Sequence, residues 1–275
     1  MGLRRIVKNF KKDGFDGLYY RFLSLLNLNK TYKNLIEKKK YFLGHKISKI
    51  ANNKIIHGPY KNTYLSSENG WGMHDFASKF LGLYEEQIQL KIVEIQKKYN
   101  LEYLINFGAS DGFHVLGLLN NHIFKEGLAF EIDSYERSFL HKNIEKNNLS
   151  NKIKVLGKGT FEKVFEIIES NKLSRSLFLI DIEGGEFDLF NSDNISRLNK
   201  SYFIIEKHDF WEKDAEKKKN YYTLLRNNFD IEIIKNSGRN PFIFDFISDL
   251  SDDERWLILS EGRPCEMEWL LLIPK

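Results

Sequence analysis

The sequence holds one cysteine, Cys265, and four prolines among 275 residues. A single thiol excludes an intrachain disulfide, so nothing in the chain requires an oxidising compartment. So few prolines exclude a proline-rich linker. Long hydrophobic runs are missing as well. The longest, LFLI at 177–180 and WLLLI at 269–273, fall far short of the roughly 20 residues that span a membrane. The first residues carry Arg4, Arg5 and Lys8 without the apolar core of a signal peptide. Gly2 opens a myristoylation-like start, but Ile6 stands where Ser or Thr is required. These absences predict a soluble, cytoplasmic protein. What is present, 42% hydrophobic and 29% charged residues, excludes a disordered tail or a collagen and gives enough apolar material for a packed core.

The net charge of +4 hides an asymmetry. Residues 1–61 contain 15 Lys/Arg against 3 Asp/Glu, a balance of +12, and the remaining 214 residues carry 27 against 35, or −8. Within the basic arm, Ile6, Phe10, Leu18, Phe22 and Leu25 alternate with lysines in the manner of one-sided helices. Two readings follow: a helical extension packed on the main domain with a solvated basic face, or a peripheral contact with an anionic membrane. Nucleic acid is not expected, because the aromatics form no stacking platform and no recognition motif occurs.

From residue 101 the text becomes an alternation of short apolar runs and longer helical stretches. LEYLINF (101–107), GLAFEI (127–132), KIKVL (152–156), SLFLIDI (176–182), YFIIE (202–206), IEIIK (231–235) and EWLLLIP (268–274) are the strand segments. Helices are predicted over 113–119, 135–147, 161–170 and 211–228. Strand–helix alternation with short joints predicts a mostly parallel α/β sheet with helices on both faces. The stretch 236–267 contains no clean crossover helix, so the last strand is expected to insert antiparallel. Three parts result: a basic helical extension (1–61), a lead-in segment (62–100) and a main domain (101–275). In such sheets ligands sit beyond the carboxyl ends of the strands, which directs attention to the residue after each strand.

The first strand runs into Phe107-Gly108-Ala109-Ser110-Asp111-Gly112. Glycines four apart between strand and helix let the chain turn tightly and let a ligand lie on the backbone. The dinucleotide fingerprint G-x-G-x-x-G is not matched. The second strand ends in Glu131-Ile132, nineteen residues past Gly112; an acid there can hold two ribose hydroxyls. The third ends near Gly159-Thr160, where small residues leave space for an adenine ring or make an ordinary joint. The fourth ends in Asp181-Ile182-Glu183-Gly184-Gly185-Glu186. Asp181 should point into the cleft and bind a hydroxyl or a cation, whereas Glu183 and Glu186 suit helix capping. The fifth ends in Glu206-Lys207-His208, where a histidine between carboxylates is a candidate base.

Taken together, INFGASDGFHVLGLL (105–119), LAFEIDSYERSFLHKNIEKNNL (128–149) and LFLIDIEGGEFDLF (177–190) resemble the FkbM-type AdoMet-dependent methyltransferases. The hydrophobic-Asp-hydrophobic-Glu-Gly-x-Glu string is the most specific of the three. HGPYKNTYL (57–65) and LGLYEEQI (81–88) are similar to the lead-in of members found with polysaccharide-building enzymes. Asn106 stands where members often have Asp, and Ile132 where they often have Pro.

The resemblance implies a class I methyltransferase fold, with AdoMet laid across Phe107 to Gly112 and its ribose on Glu131 beside Ile132. Gly159, Thr160 and Asp181 complete the cofactor contacts, and Tyr84 and Glu85 fold over it. It implies O-methylation of a carbohydrate acceptor, such as a surface polysaccharide or its precursor, held by Glu183, Glu206 and His208. A small natural product, a phosphate-containing metabolite or a non-catalytic AdoMet-binding module are the alternatives. His208 would take the hydroxyl proton with Asp181 orienting it. In a second version, Asp181, Glu206 and His208 hold Mg or Mn, which lowers the hydroxyl pKa. The lead-in rings Tyr60, Tyr64, Trp71, His74 and Tyr84 suit sugar stacking or a core role.

Overall fold

The computed structural model describes residues 28–67, 75–263 and 265–275. The apolar positions of the arm before residue 28, and Trp71 and His74, lie outside the described residues. Seven strands form one sheet: β1 Tyr103–Phe107, β2 Glu126–Phe130, β3 Ile153–Leu156, β4 Ser176–Ile180, β5 Tyr202–Glu206, β6 Phe229–Lys235 and β7 Glu268–Pro274. Their order is β3-β2-β1-β4-β5-β7-β6. The first five pair in parallel, and β7 enters antiparallel between β5 and β6. This is the mostly parallel, Rossmann-like α/β sheet that the strand–helix alternation predicts, with the antiparallel last strand where it was expected.

Strand order reverses between β1 and β4, so their carboxyl ends flank an open crevice. Both strands are buried throughout, as strands covered on both faces must be. Alternate side chains go to opposite cores. Leu104, Leu177, Leu179 and Ile204 point to one apolar cluster, and Ile105, Phe107, Phe178 and Phe203 point to the other.

The first cluster is covered by α1 Leu28–Ile50, α2 Phe76–Leu81, α3 Glu86–Tyr99, α4 Phe113–Asn120 and α5 Ser134–Lys146. The second receives α6 Phe161–Ile167, α7 Ser170–Leu173, α8 Glu186–Leu189, α9 Ser192–Leu198 and α10 Ala215–Asn228. A last helix, α11 Asp252–Leu257, lies in the stretch before β7. Leu43, Ile47, Ile55, Tyr60 and Leu65 belong to the same cluster as Leu116 of α4, so the described part of the extension and lead-in shares the core of the main domain. Tyr60 is fully buried against Gly117, where an added Cβ would stand 2.2 Å from the tyrosine ring. Among the described residues no helix is long and apolar enough to cross a membrane.

Several boundaries differ from the sequence reading; the second strand, for example, ends at Phe130 rather than 132. The fourth strand stops at Ile180 rather than 182, because Glu183 and Gly184 take positive φ (52° and 96°) and swing the chain away. The predicted helix over 161–170 breaks into α6 and α7 where Ile168 turns extended. The helix predicted from 211 begins at Ala215, capped by the Asp214 carboxylate, which accepts from the backbone N–H groups of Glu216 and Lys217. Residues 209–214 therefore form a loop at the tip of β5.

Candidate active site

At the carboxyl ends of β1, β4 and β5 lies a cavity of about 370 Å³, within the size range of small-molecule sites. Ten of the predicted site residues line it: Tyr84, Glu85, Gly108, Ala109, Ser110, Asp111, Asp181, Glu183, Glu206 and His208. Three of these adopt positive φ without being glycine: Glu85 (47°), Ser110 (46°) and Glu183 (52°). Such backbone costs about 1–3 kcal/mol each and persists where the surroundings impose it. Gly108 has no alternative residue, since a Cβ there would lie 1.7 Å from the carbonyl oxygen of Asp181. The bend after β1 and the tip of β4 are thus pressed backbone to backbone.

The other predicted residues lie outside the cavity lining. Phe107 points into the second core, stacked on Phe130 at 4.7 Å and edge-on to Phe161; only its backbone takes part, accepting from the Asp181 N–H at 3.0 Å. Gly112 opens α4, packed under Leu116 and Leu140. Glu131 ties the tip of β2 to the bend, because one carboxylate oxygen accepts from the Ser110 N–H at 2.8 Å and the other from the Asp133 N–H at 2.8 Å. Ile132 beside it is 71% exposed. Gly159 packs under Phe107 and Phe130, and Thr160 caps α6 through the Lys163 N–H.

The chemistry concentrates around His208, which is buried among carboxylates. Its Nδ1 is hydrogen-bonded to Glu186. Its Nε2 stands 3.3 Å from Glu206 Oε2, 3.5 Å from Glu183 Oε2 and 3.7 Å from Asp181 Oδ1. Burial opposes charge on the ring, but hydrogen bonds to Glu186 and Glu206, with the charges of Glu186 and Asp181, outweigh it and raise the pKa to about 10. Glu206 goes the other way. Burial pushes its carboxyl up, yet the His208 hydrogen bond and the Arg263 charge hold it at about 2. Asp181 is raised well above the ordinary carboxylate range, first by burial and then by Glu206. Its Oδ1 is buried without a hydrogen-bond partner.

These geometries correct one sequence assignment. Glu186 is not a capping residue: it makes no cap hydrogen bond, and its side chain is buried against His208. The carboxylates around His208 also favour its charged ring.

A second network shares Glu206 with the first. Arg263 hydrogen-bonds Glu85 and Glu206, and its Nε donates to Glu261 at 2.8 Å. Glu85 also meets His114 Nε2 at 2.8 Å, and His114 Nδ1 meets the Tyr60 hydroxyl at 2.9 Å. Lys79 donates to Asp111 at 2.7 Å; burial works against its charge, and Asp111, with Asp75 and Glu85, more than restores it. The sequence reading missed Lys79, His114, Arg263, Phe210 and Trp211, all of which line the cavity. A lysine in the apolar run FASKFL and two rings directly after KHD were visible signals. Arg263 offered none, lying 57 positions from Glu206 and 178 from Glu85.

Asp181, Glu206 and His208 offer donor atoms within 4.8 Å of one another. Two carboxylates and an imidazole whose other nitrogen is fixed by Glu186 fit a hard divalent cation in ligand type. In the structure Arg263 supplies positive charge to Glu206 at the same place.

No protein-family model matches the chain. No curated protein matches it in sequence. Solved structures that align with it include an O-methyltransferase from Bacillus cereus in complex with SAH, at 11% identity and TM-score 0.46, covering 67% of this chain and 79% of that one. The O-methyltransferase TomG from Streptomyces achromogenes, involved in tomaymycin synthesis and solved with SAM, aligns at 7% identity and TM-score 0.49, covering 73% and 87%. Precorrin-6y C5,15-methyltransferase from Geobacter metallireducens aligns at 9% identity and TM-score 0.42, covering 68% and 89%.

Proposed function

We propose that this protein is an AdoMet-dependent O-methyltransferase of the FkbM type that methylates a hydroxyl of a carbohydrate acceptor. The observation that carries the proposal is the abutment of the Gly108 bend on Asp181 across the β1–β4 crevice, with Glu131 bonded to the same bend. A nucleoside sulfonium laid over Gly108–Ser110 would have its ribose at Glu131, whose oxygens each keep a lone pair for a hydroxyl. The exposed Ile132 offers its apolar surface to the adenine. The methyl group then faces Asp181. The excess of carboxylates in the cavity suits the positive sulfur and ammonium of the cofactor.

Methyl transfer is an in-line displacement. The acceptor oxygen forms a bond to the methyl carbon, the carbon–sulfur bond breaks with its electron pair remaining on sulfur, and S-adenosylhomocysteine leaves. The chain's task is to align the two partners and take the hydroxyl proton. Asp181 is the acceptor of that proton: its side chain lines the cavity, about a third exposed, and its carboxyl is more basic than usual. His208, held protonated by Glu186, stabilises the resulting arrangement and keeps Glu206 ionised. In the alternative state with His208 neutral, a divalent cation, Mg or Mn, held by Asp181, Glu206 and His208 would supply Lewis-acid activation of the hydroxyl.

The testing experiment is incubation of the full chain with methyl-labelled AdoMet and a panel of sugars and glycans, reading labelled product. Transfer abolished by Asp181→Asn with S-adenosylhomocysteine still bound supports the assignment. Full transfer by that variant rejects it.

A further inference from the structure

Beside the reacting carboxylates stand two large rings with no core role. Phe210 and Trp211 line the cavity yet remain 43% and 59% exposed. Exposed aromatic surface at a cleft mouth marks a contact site rather than a packing site. The loop carrying them is anchored. Asp209 accepts from the Tyr222 hydroxyl at 2.5 Å through its carboxylate and from Lys218 Nζ at 2.8 Å through its carbonyl. The Trp211 N–H closes a turn onto the His208 carbonyl at 2.9 Å.

Gly184, at φ +96°, makes room for the indole, since a Cβ there would stand 3.1 Å from Trp211 Cβ. The rings are tilted 43° at 5.3 Å, a shelf along one side of the carboxylate cluster.

The charge of the cavity narrows what can rest on this shelf. Among the described residues seven carboxylates line it, against one lysine, Lys79, and one arginine, Arg263. Lys79 is spent on Asp111, and Arg263 on Glu85, Glu206 and Glu261. Among the described residues no lining lysine or arginine is left for a phosphate. Glu183, about two-thirds exposed, and Asp181 line the same cavity as the two rings and can accept hydrogen bonds. His208 Nε2 already stands 3.5 Å from Glu183 and 3.7 Å from Asp181, where a ligand's ammonium group would otherwise sit, which favours hydroxyl donors.

Resting on the methyltransferase reading, we propose that Phe210 and Trp211 form the acceptor platform, on which an uncharged sugar ring lies while Glu183 and Asp181 accept from its hydroxyls. The same wall rejects phosphorylated acceptors. The C–H face of a sugar and an aromatic ring fit as apolar surfaces, and the carboxylates read the ring edge. The reading therefore places a neutral glycan, not a sugar phosphate or nucleotide sugar, in this site.

The test is saturation-transfer NMR on the full chain with excess S-adenosylhomocysteine, using methyl glucoside, methyl mannoside, glucose phosphate and glucosamine as probes. Saturation of the neutral glycosides is expected, with at least a threefold loss in Trp211→Ala and in Glu183→Gln. Trp256→Ala, which removes an exposed tryptophan outside the cavity lining, should leave it unchanged. Glucose phosphate should give none. Equal signals for glucose phosphate, an effect confined to glucosamine, or indifference to Trp211→Ala would each overturn the proposal. Calorimetry with S-adenosylhomocysteine on the same samples separates the two claims. Cofactor heat without Trp211-dependent saturation removes the platform, and Trp211-dependent saturation without cofactor heat removes the methyltransferase reading.

Discussion

The imidazole of His208 is fixed through Nδ1 by the buried carboxylate of Glu186, and this one contact aims Nε2 at the gap between Asp181 and Glu206. His208 follows the tip of β5, and Glu186 opens α8 in the segment that follows β4, the parallel neighbour of β5. Their pairing sets the charge state of the whole cluster: an imidazolium at its centre lowers Glu206 and leaves Asp181 as the basic member.

Replacing Glu186 with Gln keeps the shape of the contact and removes its charge. The ring of His208 should then titrate well below its present value of about 10. Breaking a buried ion pair from one side costs about 3–5 kcal/mol, visible as a lower urea midpoint at pH 7. An NMR titration showing an unmoved His208 ring would contradict the pairing.

Stability should depend on pH in two windows. His208 is raised from 6.5 to about 10 on folding, so its contribution is complete below pH 6.5 and is lost as pH climbs toward 10. Glu206 is lowered from 4.5 to about 2, so its contribution is present above pH 4.5 and is lost as pH falls toward 2. His208→Asn should flatten the alkaline decline of the urea-derived stability between pH 7 and 10. An unchanged slope would assign that decline to other groups.

Gly108→Ala places a Cβ against the Asp181 carbonyl at φ +75°. The obstacle is backbone, so rotamer changes cannot relieve it. We expect a loss of about 1–3 kcal/mol in stability from the backbone conformation alone and at least a tenfold weaker affinity for S-adenosylhomocysteine by calorimetry. Gly238→Ala, where nothing lies within 4 Å of the added Cβ, is the matched control and should change neither.

Removing divalent ions tests the source of positive charge at Glu206. With Arg263 already bonded there, dialysis against EDTA should leave methyl transfer within about twofold, a change below 0.5 kcal/mol in barrier. Loss of activity restored by Mn would assign the site to the metal instead.

The sheet was legible because its strands are short apolar runs between helix-length polar stretches. The tip residues could be named without coordinates because parallel strands must end at the crevice. The candidate site was legible where its lining follows a strand end, as at Gly108, Asp181, Glu206 and His208. It was not legible where a side chain arrives from elsewhere in the chain. Arg263 reaches Glu85 and Glu206 through a segment with no periodic pattern, and Lys79 reaches Asp111 from α2. The ionisation of His208 was also beyond the sequence, because it depends on three-dimensional proximity to four carboxylates. Glu186 looked like a capping residue because acids at a first turn usually are; only burial showed its partner.

The central claim is that the bend at Gly108–Gly112, bonded to Glu131, binds AdoMet. Titration calorimetry of S-adenosylhomocysteine into the folded full-length protein tests it most directly. The account predicts saturable one-to-one heat that weakens at least tenfold in Glu131→Ala. No heat with S-adenosylhomocysteine or AdoMet, alongside clean binding of NADH, would contradict it.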